Sequence, residues 1–116
     1  SSPVGYRGLP KSSGYTASKA SLNNFTQGIY FDFKKFNVRV TLISPGFIKT
    51  ALTDKNEFEM PFLKDTKYAA DKIYDGLINK KSFEIIFPPQ IAFIYKIFQI
   101  LPNKVYNFLI NKFVNR

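Results

Sequence analysis

The sequence predicts an α/β chain built on a parallel sheet, and three observations carry that prediction. Residues Val38 to Ser44 are strongly β-branched and alternate poorly, as a central parallel strand covered on both faces should. Before them, Leu22, Phe25, Ile29, Phe33 and Phe36 recur at steps of three and four, which predicts a helix from about Tyr15 to Lys35 with a buried stripe. After them, a second helical segment (about Thr66 to Asn79) leads into a short strand, Ser82 to Phe87, ended by Pro88-Pro89.

The elements follow in order. Residues 3–14 hold Pro3, Pro10, Gly5, Gly8, Gly14, Ser12 and Ser13, a loop composition, and Ser13 is a plausible cap for the first helix. Ala17, Ala20 and Ser21 are small and allow close approach of another element. Pro45-Gly46 stops the first strand, and ligands bind in the crevice at the carboxyl end of such strands. Residues 51–65 mix charge with Phe58, Met60, Pro61, Phe62 and Leu63, a connecting loop with an apolar anchor. The second helix has Ala69, Ala70, Ile73 and Leu77, with Tyr74, as its apolar side. Ile91 to Leu101 is almost wholly apolar but too short to span a bilayer, and Pro102 interrupts it. Beyond it Asn103, Asn107, Asn111 and Asn115 line one helical face, while Val105, Tyr106, Leu109, Phe113 and Val114 gather towards the other. From Ile85 to Arg116 there are four cations and no acids. Two docked terminal helices, a dimer contact, a lid over an apolar substrate and a membrane-surface contact through 90–116 all fit that pattern.

Composition narrows the chemistry. With no cysteine, the chain has no disulfide, thiolate catalysis or cysteine-based zinc site. With no histidine, it has no Ser-His-Asp hydrolysis and no imidazole metal ligand, and no metal site is expected. The net charge of +9 raises nucleic acid as a partner, but Lys34-Lys35 and Lys80-Lys81 are the only adjacent basic pairs. A general bias towards Lys, Asn, Ile and Phe explains the charge equally well, so nucleic-acid binding is not expected. No signal peptide is visible, but position 1 does not look like a natural start; the expectation is a cytoplasmic protein, peripheral to a membrane if the tail binds one.

Tyr15 and Lys19 carry the chemistry that remains. Four residues is about one helical turn, so phenol and ammonium share a face roughly 6 Å apart along the axis. A phenol ordinarily titrates near ~10. A neighbouring cation favours the phenolate and makes a tyrosine a usable proton donor and acceptor. Ser2, thirteen positions upstream of the tyrosine, could hold a carbonyl or hydroxyl substrate. The spacing alone is equally that of a surface pair.

The surroundings change that balance. Ser1 to Pro10, then Tyr15-Thr16-Ala17-Ser18-Lys19, then Asn37 to Gly46, closely resemble the short-chain dehydrogenase/reductase family over residues 1 to about 87. The resemblance implies the C-terminal part of a Rossmann-like doubly wound parallel sheet, with 1–87 in that domain and 88–116 as a helical C-terminal extension. It implies Ser2, Tyr15 and Lys19 as the catalytic set, with hydride transfer between a nicotinamide cofactor and a carbonyl or alcohol. It places Tyr15, Lys19, Pro45, Gly46, Ile48 and Thr50 against that cofactor, Ile48 through its backbone amide and Thr50 through its hydroxyl. It also makes Val4, Tyr6 and Leu9 candidate pocket walls, 51–65 a mobile lid, and the first helix a dimerisation surface of a homo-oligomer.

The glycine-rich phosphate turn and the family's catalytic asparagine have no counterpart here, since Gly5 and Gly8 lie between the serine and the tyrosine. The expectation is therefore an enzyme fragment, inactive alone, whose NAD or NADP preference is not legible. Phe47, Phe58, Phe62 and the tail hint at an apolar substrate. The rival readings are a non-catalytic binding module of the same fold and a peripheral membrane protein acting through its tail.

Overall fold

The computed structural model describes residues 1–51, 53–55 and 60–114. A 3-10 turn over Pro3–Tyr6 leads to helix α1 (Ser13–Lys34), strand β1 (Leu42–Pro45) and helix α2 (Thr66–Tyr74), which runs on as a π turn over Asp75–Lys80. Strand β2 (Glu84–Phe87), helix α3 (Pro89–Ile100) and helix α4 (Asn103–Phe113) complete the chain. β1 and β2 pair in parallel, Leu42 opposite Glu84 and Pro45 opposite Phe87. A parallel pair needs a crossover, which α2 supplies.

The core is small: Leu42 of β1, Ile85 and Phe87 of β2, Ile91 of α3, and Tyr106 and Ile110 of α4 are buried. Gly76 of the π turn has no side chain because that of Ile85 fills the space a Cβ would need. Tyr68 on α2 stands edge-on to Phe87, ring centroids 6.1 Å apart. Asp65 caps α2 by accepting from Tyr68 N at 2.9 Å.

Arg7 fastens the C-terminal pair. Its guanidinium donates to Phe98 O at 2.6 Å, to Leu101 O, and to Asn103 Oδ1 at 2.5 Å. It also lies 4.3 Å from the Tyr106 ring centroid. The last carbonyls of a helix lack intrahelical donors and carry partial negative charge, so a cation at the end of α3 satisfies both needs. Tyr106 returns the tie by donating its hydroxyl to Gly8 O. Beside this junction Tyr6 donates to Glu84 Oε2 at 2.5 Å, and Lys96 of α3 pairs with Glu84 Oε1 at 2.5 Å.

The structure departs from the sequence reading in five places. The first strand covers only 42–45 of the expected 38–44 stretch and includes Pro45, because β2 is four residues long and residues 38–41 face no ladder partner. It alternates in burial instead of being covered on both faces: Leu42 and Ser44 are buried, Ile43 and Pro45 half-buried. Ser12, not Ser13, stands at the start of α1, and its side chain makes no cap hydrogen bond. Of the expected buried stripe of α1 only Ile29 is half-buried; Phe25 and Phe36 are 62% and 75% exposed, and Leu22 and Phe33 are exposed too. On α2, Ala70 and Tyr74 face solvent while Ala69 and Ile73 are half-buried.

The face of α1 that packs is set instead by Thr16 and Thr26, both buried, and by Asn23, which accepts from Ser1 Oγ at 2.6 Å. These residues fall on one side of the helix, against the 3-10 turn and β1. Phe58 and Asn115 lie outside the described residues.

Candidate functional site

Ser2 is held in place by its neighbours. Ser1 N donates to Ile43 O at 2.8 Å, tying the segment to β1, while Ser1 Oγ ties it to Asn23 of α1. Ser2 Oγ caps the 3-10 turn by accepting from Val4 N at 3.4 Å. Gly5 then lies so close to α1 that a Cβ would fall 2.9 Å from the Lys19 carbonyl carbon and 2.8 Å from Asn23 Nδ2. The turn therefore sits directly on the helical segment that carries Tyr15 and Lys19.

A cavity of about 570 Å³ opens between these elements. Ser2, Tyr15, Pro45, Gly46, Ile48 and Thr50 all line it, together with Val4, Phe47 and Pro61. Lys19 is not on its wall, but its Nζ lies 5.4 Å from the Tyr15 ring centroid. The seven sequence-predicted site residues thus converge from three separate stretches of chain on one end of the sheet.

The strand end shapes the floor. Gly46 N donates to Phe87 O at 2.8 Å, and a Cβ on Gly46 would meet Pro88 Cδ at 3.1 Å and Phe87 O at 3.2 Å. A side chain there would push β1 and β2 apart. Lys64 N donates to Phe47 O at 3.0 Å and Lys49 N to Lys64 O at 2.7 Å, which pins the base of the 49–64 excursion. That bridge turns the Ile48 N–H away from residue 64. Ile48 O accepts from Thr53 Oγ1 at 2.8 Å. Thr50 exchanges hydrogen bonds with Thr53: its N donates to Thr53 Oγ1 at 2.7 Å, and its Oγ1 accepts from Thr53 N at 3.3 Å. The Thr50 hydroxyl is thus a turn-forming group at the cavity wall.

Three expected wall residues divide. Val4 lines the cavity. Tyr6 does not: its hydroxyl turns to Glu84, and burial, then the Glu84 hydrogen bond, raise it well above the usual phenol range. Leu9 lines a separate shallow depression with Thr16 and Ala17. Sequence reasoning missed Thr53, Ile91 and Tyr95, which complete the lining. Ile91 and Tyr95 are one helical turn apart, a visible apolar pair, but nothing local says that α3 folds back over the strand ends. Burial raises the Tyr95 phenol above its ordinary value.

The family model described as short chain dehydrogenase matches residues 1–60. An uncharacterized oxidoreductase of Myxococcus xanthus is 39% identical over 107 residues, 92% of this chain and 42% of that protein. Epidermal retinol dehydrogenase 2 of Mus musculus is 31% identical over 111 residues, 90% of this chain and 35% of that protein. The 3-oxoacyl-(acyl-carrier-protein) reductase of Rickettsia prowazekii is 40% identical over 55 residues, 47% of this chain and 23% of that protein. The chain therefore spans well under half the length of these relatives. A match over the segment that contains the serine turn, the Tyr15–Lys19 helix and the Pro45-Gly46 strand end assigns this chain to the short-chain dehydrogenase/reductase family.

Proposed function

We propose that this chain is the C-terminal, proton-handling part of an oxidoreductase, folded as one end of a doubly wound parallel sheet. The observation that carries the reading is the shared cavity, which gathers Ser2, Tyr15 and the 45–50 strand end around one space, with Lys19 beside the phenol. A bound NAD or NADP would supply or accept the hydride. The residues present suit such a group: Pro45, Gly46, Ile48 and Thr50 give a wall of backbone and hydroxyl, with the Ile48 N–H turned away from its bridge partner.

The chain's own residues handle the rest. Tyr15 gives its proton to the substrate oxygen in reduction and takes it back in oxidation. The Lys19 cation, on the next turn of α1, steadies the phenolate that remains and binds ribose hydroxyls. Ser2 donates a hydrogen bond to the reacting oxygen as charge gathers there. Val4, Phe47, Pro61, Ile91 and Tyr95 make the remaining wall largely apolar, which fits an apolar carbonyl or alcohol. Two relatives are named for such chemistry, a retinol dehydrogenase and a 3-oxoacyl reductase. The exposed apolar face of α1 fits a homo-oligomer contact.

The test is Tyr15→Phe in the whole protein that carries this chain, assayed with NADH and NADPH against a carbonyl panel. Turnover should fall by roughly 10²–10⁴-fold, while nucleotide binding, read by cofactor fluorescence, stays the same. Undiminished turnover in that variant overturns the assignment.

A further inference from the structure

Helix α3 is apolar apart from Gln90, Lys96 and Gln99, yet only one side of its apolar surface is covered. Ile91 is buried, and Tyr95 and Phe98 are half-buried, on the side that meets the cavity and Tyr106. Phe93 and Ile100, 70% and 75% exposed, stand on the other side with Ile97. An exposed apolar stripe of this kind marks a contact surface. Helix α4 repeats the arrangement with charge added. Tyr106 and Ile110 face inwards, while Phe108 points out, 63% exposed, between Lys104 and Lys112 one turn away on either side. Lys112 Nζ lies 5.7 Å from the Phe108 ring centroid. Lys96 is not part of this outer charge, because Glu84 holds it. Neither Lys104 nor Lys112 has a carboxylate partner among the described residues.

We propose that the outer face of α3 and α4 docks on an anionic lipid surface. Phe93, Ile97, Ile100 and Phe108 would enter the headgroup boundary, and Lys104 and Lys112 would meet lipid phosphates. Charge decides between occupants. The stretch from Ile85 to Arg116 contains no acid, and the chain carries +9. A second copy seated on this face would oppose like charges, whereas an anionic surface neutralises them. No described helix is long and apolar enough to cross a membrane, so the pair lies on the surface and does not span it. α3 also forms a wall of the cavity through Ile91 and Tyr95, so docking would set the cavity beside the lipid.

Co-sedimentation of the whole protein with phosphatidylcholine vesicles, with and without phosphatidylglycerol, tests this without cofactor or substrate, and so independently of the redox reading. The protein should pellet with the anionic vesicles and be released by raised salt. Lys104→Gln and Lys112→Gln should each weaken binding about fivefold. Phe108→Ser combined with Ile100→Ser should abolish it, with an unchanged far-ultraviolet spectrum. Protein left in the supernatant with both vesicle types overturns the proposal. Equal binding to neutral vesicles, or lysine variants that bind as well as the parent, overturns it too.

Discussion

The two faces of α1 are built on opposite principles. The inner face, against the 3-10 turn, uses Thr16, Asn23 and Thr26, small polar side chains whose hydroxyl groups bond back to the helix or whose amide accepts from Ser1. The outer face carries Leu22, Phe25 and Phe33 in the open, and Phe36 follows just past the end of the helix. Bulk hydrophobicity would assign them the other way round. The difference teaches that the inner contact is selected for closeness: the turn must approach until only glycine fits at position 5, which brings Ser2 and Tyr15 to one cavity. Large side chains would hold the two elements apart.

The strongest way to break this comparison is Gly5→Val. Its Cβ would press on the Lys19 backbone, which cannot move as a side-chain tip can. We expect a loss of about 1–3 kcal/mol of unfolding free energy, read by urea unfolding, and a fall in turnover as Ser2 shifts. Arg7→Ala attacks the other side of the same turn. It strips the donors from Phe98 O and Leu101 O and should cost about 1–2 kcal/mol by the same measurement.

The outer face should answer differently. Phe25→Ser and Phe36→Ser are expected to change intrinsic stability by no more than about 0.5 kcal/mol, as exposed positions do. If the face joins two copies, sedimentation velocity will show those variants losing self-association. The smallest effect is a pH signature. Tyr6 in the fold titrates above the ordinary phenol value, so its contribution is complete below about pH 10 and is lost as pH rises through the folded value. The stability gap between the parent and Tyr6→Phe should therefore be constant up to that pH and shrink above it.

Some of this was legible from local pattern and some was not. The start of helix α2 at Thr66 is legible because the apolar side repeats at helical steps, but the expected helix to Asn79 turns into a π turn after Tyr74. β1 was overextended because β-branching marks where a strand can form, while its length depends on how many residues of β2 stand opposite. The stripe on α1 was correctly periodic, but periodicity says only that apolar residues share a face. It does not say that any part of the described chain covers that face. Tyr6 reads as a pocket wall because the family resemblance sets its loop, with Val4 and Leu9, at the substrate pocket. Its hydroxyl instead finds Glu84, 78 residues away in sequence, which no local signal reveals.

By itself, the sequence determined the chemistry: no histidine or cysteine, a tyrosine and lysine one turn apart, a serine upstream and a Pro-Gly strand end. Those are properties of side-chain type and spacing along one element, and local rules suffice to read them. Only the tertiary structure decided that three distant stretches share one cavity, that α3 closes it with Ile91 and Tyr95, and that Arg7 anchors the terminal helices. Such contacts depend on which surfaces meet after folding. Their energies come from burial and from donors finding acceptors across the fold, and no single segment encodes both partners.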